Sequence, residues 1–471
     1  MFLRKAVALS AAAALSAPFL PAATTETNTT ARSTIPYVPT RHDTVRDMLW
    51  LADVGTNDVV YDLGSGDGRI VIAAARDFHA GKAVGVETNS HLVEESRLNA
   101  VQAGVSNRVK FIQGDLFTTD FSSASVVTLY VGHSPNLELR APLFHALKPG
   151  ARVVSHQFGM GDWPPDKSLE VRTPLLGMYS EMHNPFATNS DTPDYRVPFS
   201  RRSHDTVSAW IIPAPVAGVW RGKVRTMAGE GDLMLTLHQR LSGLSGSFEL
   251  KGPTNVTGGL QADLWGTHVR LHLIPTNTSY YGQPLMWIDG YATNNVLTGS
   301  LWVVERERGP DRTARETRSE WSARRDPADL AGLWTWLGPR DSAVELKVER
   351  RNGRLTATYE DPRRDVPQYA KQGPIPVTDF YDFGGGFYFT LLLGQEGSSR
   401  RMGPDDGWLI GETVAINDSL SGTIAFHPYP KDAFFVTDLN SPTAKPDQDA
   451  RKPLKSGRRP WEAKRVVTRV Q

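Results

Sequence analysis

Between Tyr61 and Arg69 the chain reads Tyr-Asp-Leu-Gly-Ser-Gly-Asp-Gly-Arg, so one acidic residue and Gly64, Gly66 and Gly68 fall just before a helical pattern. Glycines let a ligand approach the backbone, and a helix that starts at once offers unpaired N–H groups. A dinucleotide site asks for G-x-G-x-x-G, and here Arg69 occupies the third glycine's place. Asp62, immediately before the loop, would repel a pyrophosphate but can receive an ammonium group. S-adenosylmethionine carries an ammonium and a sulfonium and no phosphate, so the spacing favours it over NAD. A nicotinamide-linked oxidoreductase would rest on the glycine loop alone. Two more carboxylates follow at useful places. Glu87, about 20 residues beyond the loop, can accept both hydroxyls of a ribose. Asp115, in Gln113-Gly-Asp-Leu-Phe117, can accept an adenine amino group.

These carboxylates need strand ends to carry them. Val59–Leu63, Ala83–Glu87, Val109–Gln113, Val126–Val131 and Ala151–Phe158 read as short strands. Arg41–Asp53, Arg69–Phe78, a helix capped by Asn89 and running through Ala103, and Leu137–Leu147 read as helices between them. Strands alternating with helices predict a mostly parallel sheet with ligands at the strands' carboxyl ends. After Trp163-Pro-Pro165 the helical pattern stops. Ala217-Gly-Val-Trp220 recurs as Ala331-Gly-Leu-Trp334, and Leu297-Thr-Gly-Ser-Leu-Trp302 is echoed by Leu420-Ser-Gly-Thr-Ile-Ala425. Alternating strands lie between, with hairpin turns expected at Ser245-Gly246 and Asn352-Gly353. The expected architecture is an α/β Rossmann-like domain followed by an all-β region of two small antiparallel barrel- or sandwich-like units. Its expected bounds are 24–213 for the first domain, 214–320 and 321–438 for the β units, and 439–471 for a basic, disordered tail. The stretch Arg306–Arg325 reads as an exposed charged connection.

The ordered motifs of residues 36–166 resemble the class I S-adenosylmethionine-dependent methyltransferases. Within that class, Tyr37-Val-Pro-Thr40 together with Tyr61-Asp-Leu-Gly-Ser-Gly-Asp-Gly-Arg-Ile-Val-Ile-Ala-Ala-Ala75 is similar to the ATP-synthase c-subunit lysine methyltransferases and the non-SET histone-lysine methyltransferases. Exported bacterial relatives carry Leu147-Lys-Pro-Gly-Ala-Arg-Val-Val-Ser-His156 and Gly161-Asp-Trp163 as well. The resemblance implies that Asp62, Gly64, Ser65 and Gly66 hold the methionine portion of the cofactor, Glu87 the ribose, and Asp115 with Leu116 the adenine. Tyr37 and Thr40 would close over it. The chain departs from amino-methylating relatives after the fourth strand, where Leu129-Tyr-Val-Gly-His-Ser-Pro-Asn136 replaces a Pro-Pro-Tyr-type motif. The acceptor is therefore open, with a protein lysine amine as the expectation. Tyr130, His133, Asn136, His156 and Trp163 fall near the acceptor side, with Tyr130 and His133 as candidate catalytic residues. His133 would accept a proton; its plainer alternative is a loop histidine bonded to backbone. Trp163 reads as packing that seats the last strand.

Composition narrows the remaining classes. Among 471 residues, 52 Lys and Arg against 51 Asp and Glu leave a net charge of +1, which argues against a nucleic-acid-coating protein. With no cysteine, disulfide scaffolds, thiol nucleophiles and Cys-based zinc sites are excluded. His79, His91, His145 and His156 lack metal-ligand spacing, so no metal is expected. Arg4 and Lys5, an apolar run to Leu20 and the small residues Ala22 and Ala23 have the form of a signal peptide, residues 1–23. No later stretch is long and apolar enough to span a bilayer. The expectation is an exported protein, periplasmic or secreted. Export also raises the alternative of an inactive cofactor fold whose β units bind the cell envelope.

Overall fold

The computed structural model describes residues 35–171, 205–253, 255–276, 284–306, 314–337, 343–360, 374–377, 379–393, 407–416, 419–428 and 459–465. Two compact units are present, residues 1–37 and a body of residues 38–471 that carries every element described below. The signal-peptide segment 1–23 lies outside the described residues, as do side chains of the 439–471 tail.

Alternating apolar strands and amphipathic helices build the first layer set. In chain order it contains α1 (His42–Leu51), β1 (Val59–Leu63), α2 (Arg69–Arg76), β2 (Lys82–Glu87), α3 (Ser90–Gln102), β3 (Val109–Gln113), β4 (Val126–Leu129), α4 (His133–Ala146) and β5 (Arg152–His156). Two further strands, β6 (Lys167–Val171) and β7 (Asp205–Ile211), complete a seven-stranded sheet in the order β3-β2-β1-β4-β5-β7-β6. The first five run parallel, and β7 and β6 add on antiparallel. β1 is apolar along nearly its whole length because helices cover both faces of a parallel sheet. Asn89 caps α3 as the sequence predicts, its side chain accepting the His91 N–H at 2.9 Å.

Strands β8 (Gly218–Thr226), β9 (Gly229–Arg240), β10 (Gly243–Lys251), β11 (Val256–Trp265), β12 (His268–Pro275), β13 (Leu285–Thr293), β14 (Val296–Arg306) and β15 (Ala314–Arg325) close into an antiparallel barrel. Its alternation places Leu233, Leu235 and Leu237 of β9 inside with Trp220, Leu271 and Leu273, a packed apolar interior. A nine-stranded antiparallel sheet follows: β16 (Gly332–Leu337), β17 (Ala343–Arg351), β18 (Arg354–Glu360), β19 (Ile375–Pro376), β20 (Asp379–Asp382), β21 (Phe387–Leu393), β22 (Gly407–Ile416), β23 (Ser419–Pro428) and β24 (Arg459–Arg465). Its order is β19-β18-β17-β16-β24-β23-β22-β21-β20. Among the described residues no helix follows α4. None of the described helices is long and apolar enough to cross a membrane.

Four expectations are corrected. The 320/321 boundary cuts β15, which pairs with β14 from Ala314 to Arg324 and with β8 at Ala323–Arg325 to close the barrel. The charged stretch read as a connection is thus a strand over 314–325, its exposed charges being the outer face. The tail read as disordered contributes β24, whose backbone fills the gap between β16 and β23. Ser245-Gly246 lies inside β10, paired with His238 and Leu237, and that hairpin turns instead at Leu241, where φ is +54°. Asn352 and Gly353, both at positive φ, do make the predicted turn between β17 and β18.

Candidate active site

β1 delivers Asp62 to the carboxyl edge of the sheet, and the chain then turns through Gly64, Gly66 and Gly68, all at positive φ, into α2. The loop is held to the neighbouring strand: the N–H groups of Gly64 and Ser65 both donate to the Val86 carbonyl, at 2.8 and 3.0 Å. A Cβ on Gly64 would stand 2.7 Å from Val131 Cγ1, so a side chain there would collide with the segment after β4.

Asp62 is 2% exposed. Register pairs it with Thr128 of β4, whose Oγ1 donates to Asp62 Oδ1 at 2.6 Å. Burial pushes the Asp62 carboxyl up to about 7; Thr128 lowers it, while the nearby charges of Glu87 and Asp67 raise it further. A carboxylate in that position gains most from a cationic ligand. Ser65 is buried beside it, and its Oγ has no hydrogen-bond partner among the described residues. A buried, incompletely satisfied hydroxyl next to a buried acid, in a loop too tight for side chains, fits the ammonium and carboxylate ends of an amino-acid cofactor.

Glu87 is half-buried at the end of β2. Its Oε2 accepts the Gly66 N–H at 3.0 Å, while its Oε1 accepts the Asn89 N–H at 2.9 Å and the Thr88 hydroxyl at 3.2 Å, so it fixes the loop and keeps its remaining acceptor capacity on Oε2. Asp115, half-buried beyond β3, accepts the Phe117 N–H on Oδ1 at 2.9 Å, and Leu116 beside it is buried. Asp62, Gly64, Ser65, Gly66, Glu87, Asp115 and Leu116 thus all lie along the carboxyl edge of β1–β3. Tyr37 ends the N-terminal unit, whereas Thr40 belongs to the body and is buried.

Sequence reasoning missed what holds Thr40. Arg69 Nη1 donates to the Thr40 carbonyl at 2.7 Å, and Arg69 forms a buried, forked ion pair with Asp67. The residue that breaks the dinucleotide pattern is therefore the anchor of the preceding segment. Thr128 was missed too; the one signal was a hydroxyl in the aliphatic run Val126-Val-Thr-Leu129.

On the other side, β4 ends at Leu129 and Tyr130 follows with its ring 4.2 Å from the His156 ring and 5.9 Å from that of Phe158. His133 is not in a loop: it is the first residue of α4 and exposed. The helix starts earlier than expected because Pro135 sits in its first turn, where a missing N–H costs nothing. Asn136 is fully buried, donating to Ser155 Oγ at 2.9 Å and to the Phe158 carbonyl at 3.0 Å. Trp163 is 1% exposed and packs on Phe144 and Trp210, the seating role expected of it.

Residues 62–167 match the sequence family described as the ANTKMT methyltransferase domain. The chain is 46% identical over 137 residues to a protein-lysine N-methyltransferase of Saccharolobus islandicus (strain REY15A), a span of 29% of this chain and 85% of that protein. It is 37% identical over 132 residues to the ATP synthase c-subunit lysine N-methyltransferase of Xenopus laevis, covering 28% of this chain and 57% of that one. A solved structure described as an RNA methyltransferase from Salinibacter ruber in complex with S-adenosyl-L-homocysteine is 44% identical, covers 37% of this chain and 94% of its own, and superposes with a TM-score of 0.30. Site and similarity together define an S-adenosylmethionine-dependent methyltransferase. Within that class, the chain belongs to the ANTKMT-like methyltransferase family.

Proposed function

We propose that this protein methylates a lysine amine of a protein acceptor, and that it does so after export. The observation that carries the reading is Asp62, a buried carboxyl beside a glycine loop, with Glu87 and Asp115 following on the next two strand ends. The relatives named as protein-lysine methyltransferases support the acceptor class, and the basic-apolar-small pattern of residues 1–23 supports export.

S-adenosylmethionine, when bound, supplies a methyl group on an electrophilic sulfonium. The chain's own residues hold and align. Asp62 takes the ammonium, with Gly64, Ser65 and Gly66 around the methionine portion. Glu87 takes the ribose hydroxyls, Asp115 and Leu116 flank the adenine, and Thr40 closes the near side. The acceptor amine must arrive without its proton. Tyr130 with His156 and Phe158 forms an aromatic wall against which the docked amine loses its water, and this desolvation favours the neutral form. His133 at the start of α4 receives the proton that the methylated ammonium product gives up. Alignment and exclusion of water supply most of the acceleration such a transfer needs.

The test is calorimetric titration of the exported chain with S-adenosylmethionine and S-adenosylhomocysteine, followed by transfer of a labelled methyl group to the ATP synthase c-subunit and to polylysine. Micromolar binding weakened about 100-fold in Asp62→Ala is expected, in line with the loss of one buried charge partner. Methyl-lysine should appear in the acceptor. A folded chain that binds neither ligand, or that labels no amine, defeats the reading.

A further inference from the structure

The mechanism above makes no use of Arg140. Arg140, on α4 one turn beyond Asn136, is 7% exposed and spends its whole guanidinium on four partners. Nη1 donates to the Met160 carbonyl at 3.0 Å and to Asp162. Nε donates to the Tyr381 hydroxyl at 3.0 Å, and Nη2 to Asp379. Met160 and Asp162 lie in the turn that follows β5, whereas Asp379 and Tyr381 belong to β20, at the edge of the distant nine-stranded sheet. Tyr381 in turn donates to Asp379.

That turn is the acceptor-side wall. Gln157, at φ +67°, and Phe158 face Tyr130, and the Phe158 carbonyl is held by Asn136. Asn136 and Arg140, at i and i+4, therefore grip the turn from the same face of α4. The fit leaves no slack: a Cβ on Gly161 would stand 2.9 Å from Leu137 Cδ2 and 3.2 Å from Arg140 Nη1. A second cation closes the junction, Arg240 at the end of β9, which pairs with Asp162 at 2.7 Å, as does the Tyr388 hydroxyl at 2.8 Å.

We propose that the nine-stranded sheet clamps the acceptor wall of the methyl-transfer site through Arg140, making Asp379 and Tyr381 positioning residues for the acceptor. The role of the wall rests on the lysine-methyltransferase reading; the clamp itself does not. The β region is then a working part of the site. The clamp touches none of Asp62, Glu87 and Asp115, so loosening it spares the cofactor side. Buried charge-assisted bonds of this kind hold geometry because an unpaired partner is costly in a low-dielectric setting.

Hydrogen exchange on the full chain tests the clamp directly. In Asp379→Asn and in Tyr381→Phe, amides 157–163 should exchange at least about tenfold faster, while those of 64–68 keep their rate and Asp379→Glu restores part of the protection. Calorimetry should return an S-adenosylmethionine Kd within about twofold of the parent, and methyl transfer to the ATP synthase c-subunit should show a raised acceptor KM with the cofactor KM unchanged. Unchanged exchange at 157–163 in both variants overturns the clamp. Equal loosening of 64–68 also overturns it, because the change would then be general destabilisation. Failure of the parent chain to bind cofactor would instead strike the functional reading and leave the exchange result to decide the clamp.

Discussion

Asp62 sets the pH behaviour of the cofactor side. Its folded-state pKa of about 7 stands above the ordinary carboxyl value of 3.8, so the folded chain keeps this proton to higher pH than the unfolded chain does. The associated stability is complete below pH 3.8 and is lost as pH rises through 7, a change on the order of 4 kcal/mol. Without ligand, the melting temperature should therefore fall between about pH 4 and pH 7 and level off above, and Asp62→Asn should flatten that dependence. Cofactor binding runs the other way, since an ammonium favours the ionised carboxylate. Affinity should drop about tenfold for each pH unit below about 7, measured by calorimetry from about pH 5.5 to 8.5, and Asp62→Asn should bind weakly at every pH. A pH-independent affinity in the parent would show that Asp62 does not meet the ligand's charge. Asp62, Glu87 and Asp115 were legible in the sequence because they follow one another, in order and spacing, at or just past three strand ends, whereas each taken singly would read as a turn or cap residue. Thr128 and the Asp67–Arg69 pair were not, because their meaning lies in partners across a strand register and beyond a helix start.

At the scale of elements, the repeat seen in the sequence is a repeated anchoring device. Trp220 and Trp334 are both fully buried, and each indole Nε1 donates at 2.9 Å to the carbonyl four residues earlier, Val216 in one case and Leu330 in the other. The same phrase opens an eight-stranded barrel and a nine-stranded sheet, so it specifies how a β unit begins. Trp220→Ala and Trp334→Ala should each destabilise the chain by about 3–5 kcal/mol through the cavity left behind. Trp→Phe at either place should cost about 1–3 kcal/mol, because a buried carbonyl loses its donor. Urea unfolding followed by circular dichroism measures both. A loss below about 1 kcal/mol for either alanine would mean that the indole is not an anchor. Trp302, half-buried on the barrel's outer face beneath Arg318, is a different case and shares only its residue type.

At the scale of the molecule, three layer sets meet through guanidinium groups at their junctions. Arg140 joins α4 to β20, and Arg325, the last residue of the barrel, reaches the carbonyls of Pro215, Ala217 and Phe383 at 2.9, 3.2 and 3.0 Å. Burial lowers the Arg325 pKa, and its guanidinium lies over the Trp220 ring at 5.1 Å. Gly384 is required there: at φ +89°, its Cβ would stand 2.2 Å from Arg325 Nη1. Arg325→Met strands three carbonyls at the junction of barrel and sheet, so scanning calorimetry should show a loss of about 3 kcal/mol or more. It should also show the sheet unfolding ahead of the barrel. A single, unshifted transition would show that the junction does not depend on this side chain.

Local chemistry determined much of this protein from the sequence alone. Apolar periodicity set the alternation of α1 to β5, glycines set the tight loop between β1 and α2, and three carboxylates were set at or just past the ends of β1, β2 and β3. Each of these depends on neighbours within a few residues or on one short strand. The tertiary structure decided what pairing across the chain decides. β15 closes a barrel that its charged sequence concealed, since only its inward side chains are apolar. β24 joins a sheet from within a basic tail, because an internal gap between strands rewards any backbone able to pair there. Arg140 finds Asp379 some 239 positions away. Such contacts carry no local pattern: a buried ion pair is two ordinary charged residues until the fold removes the water between them.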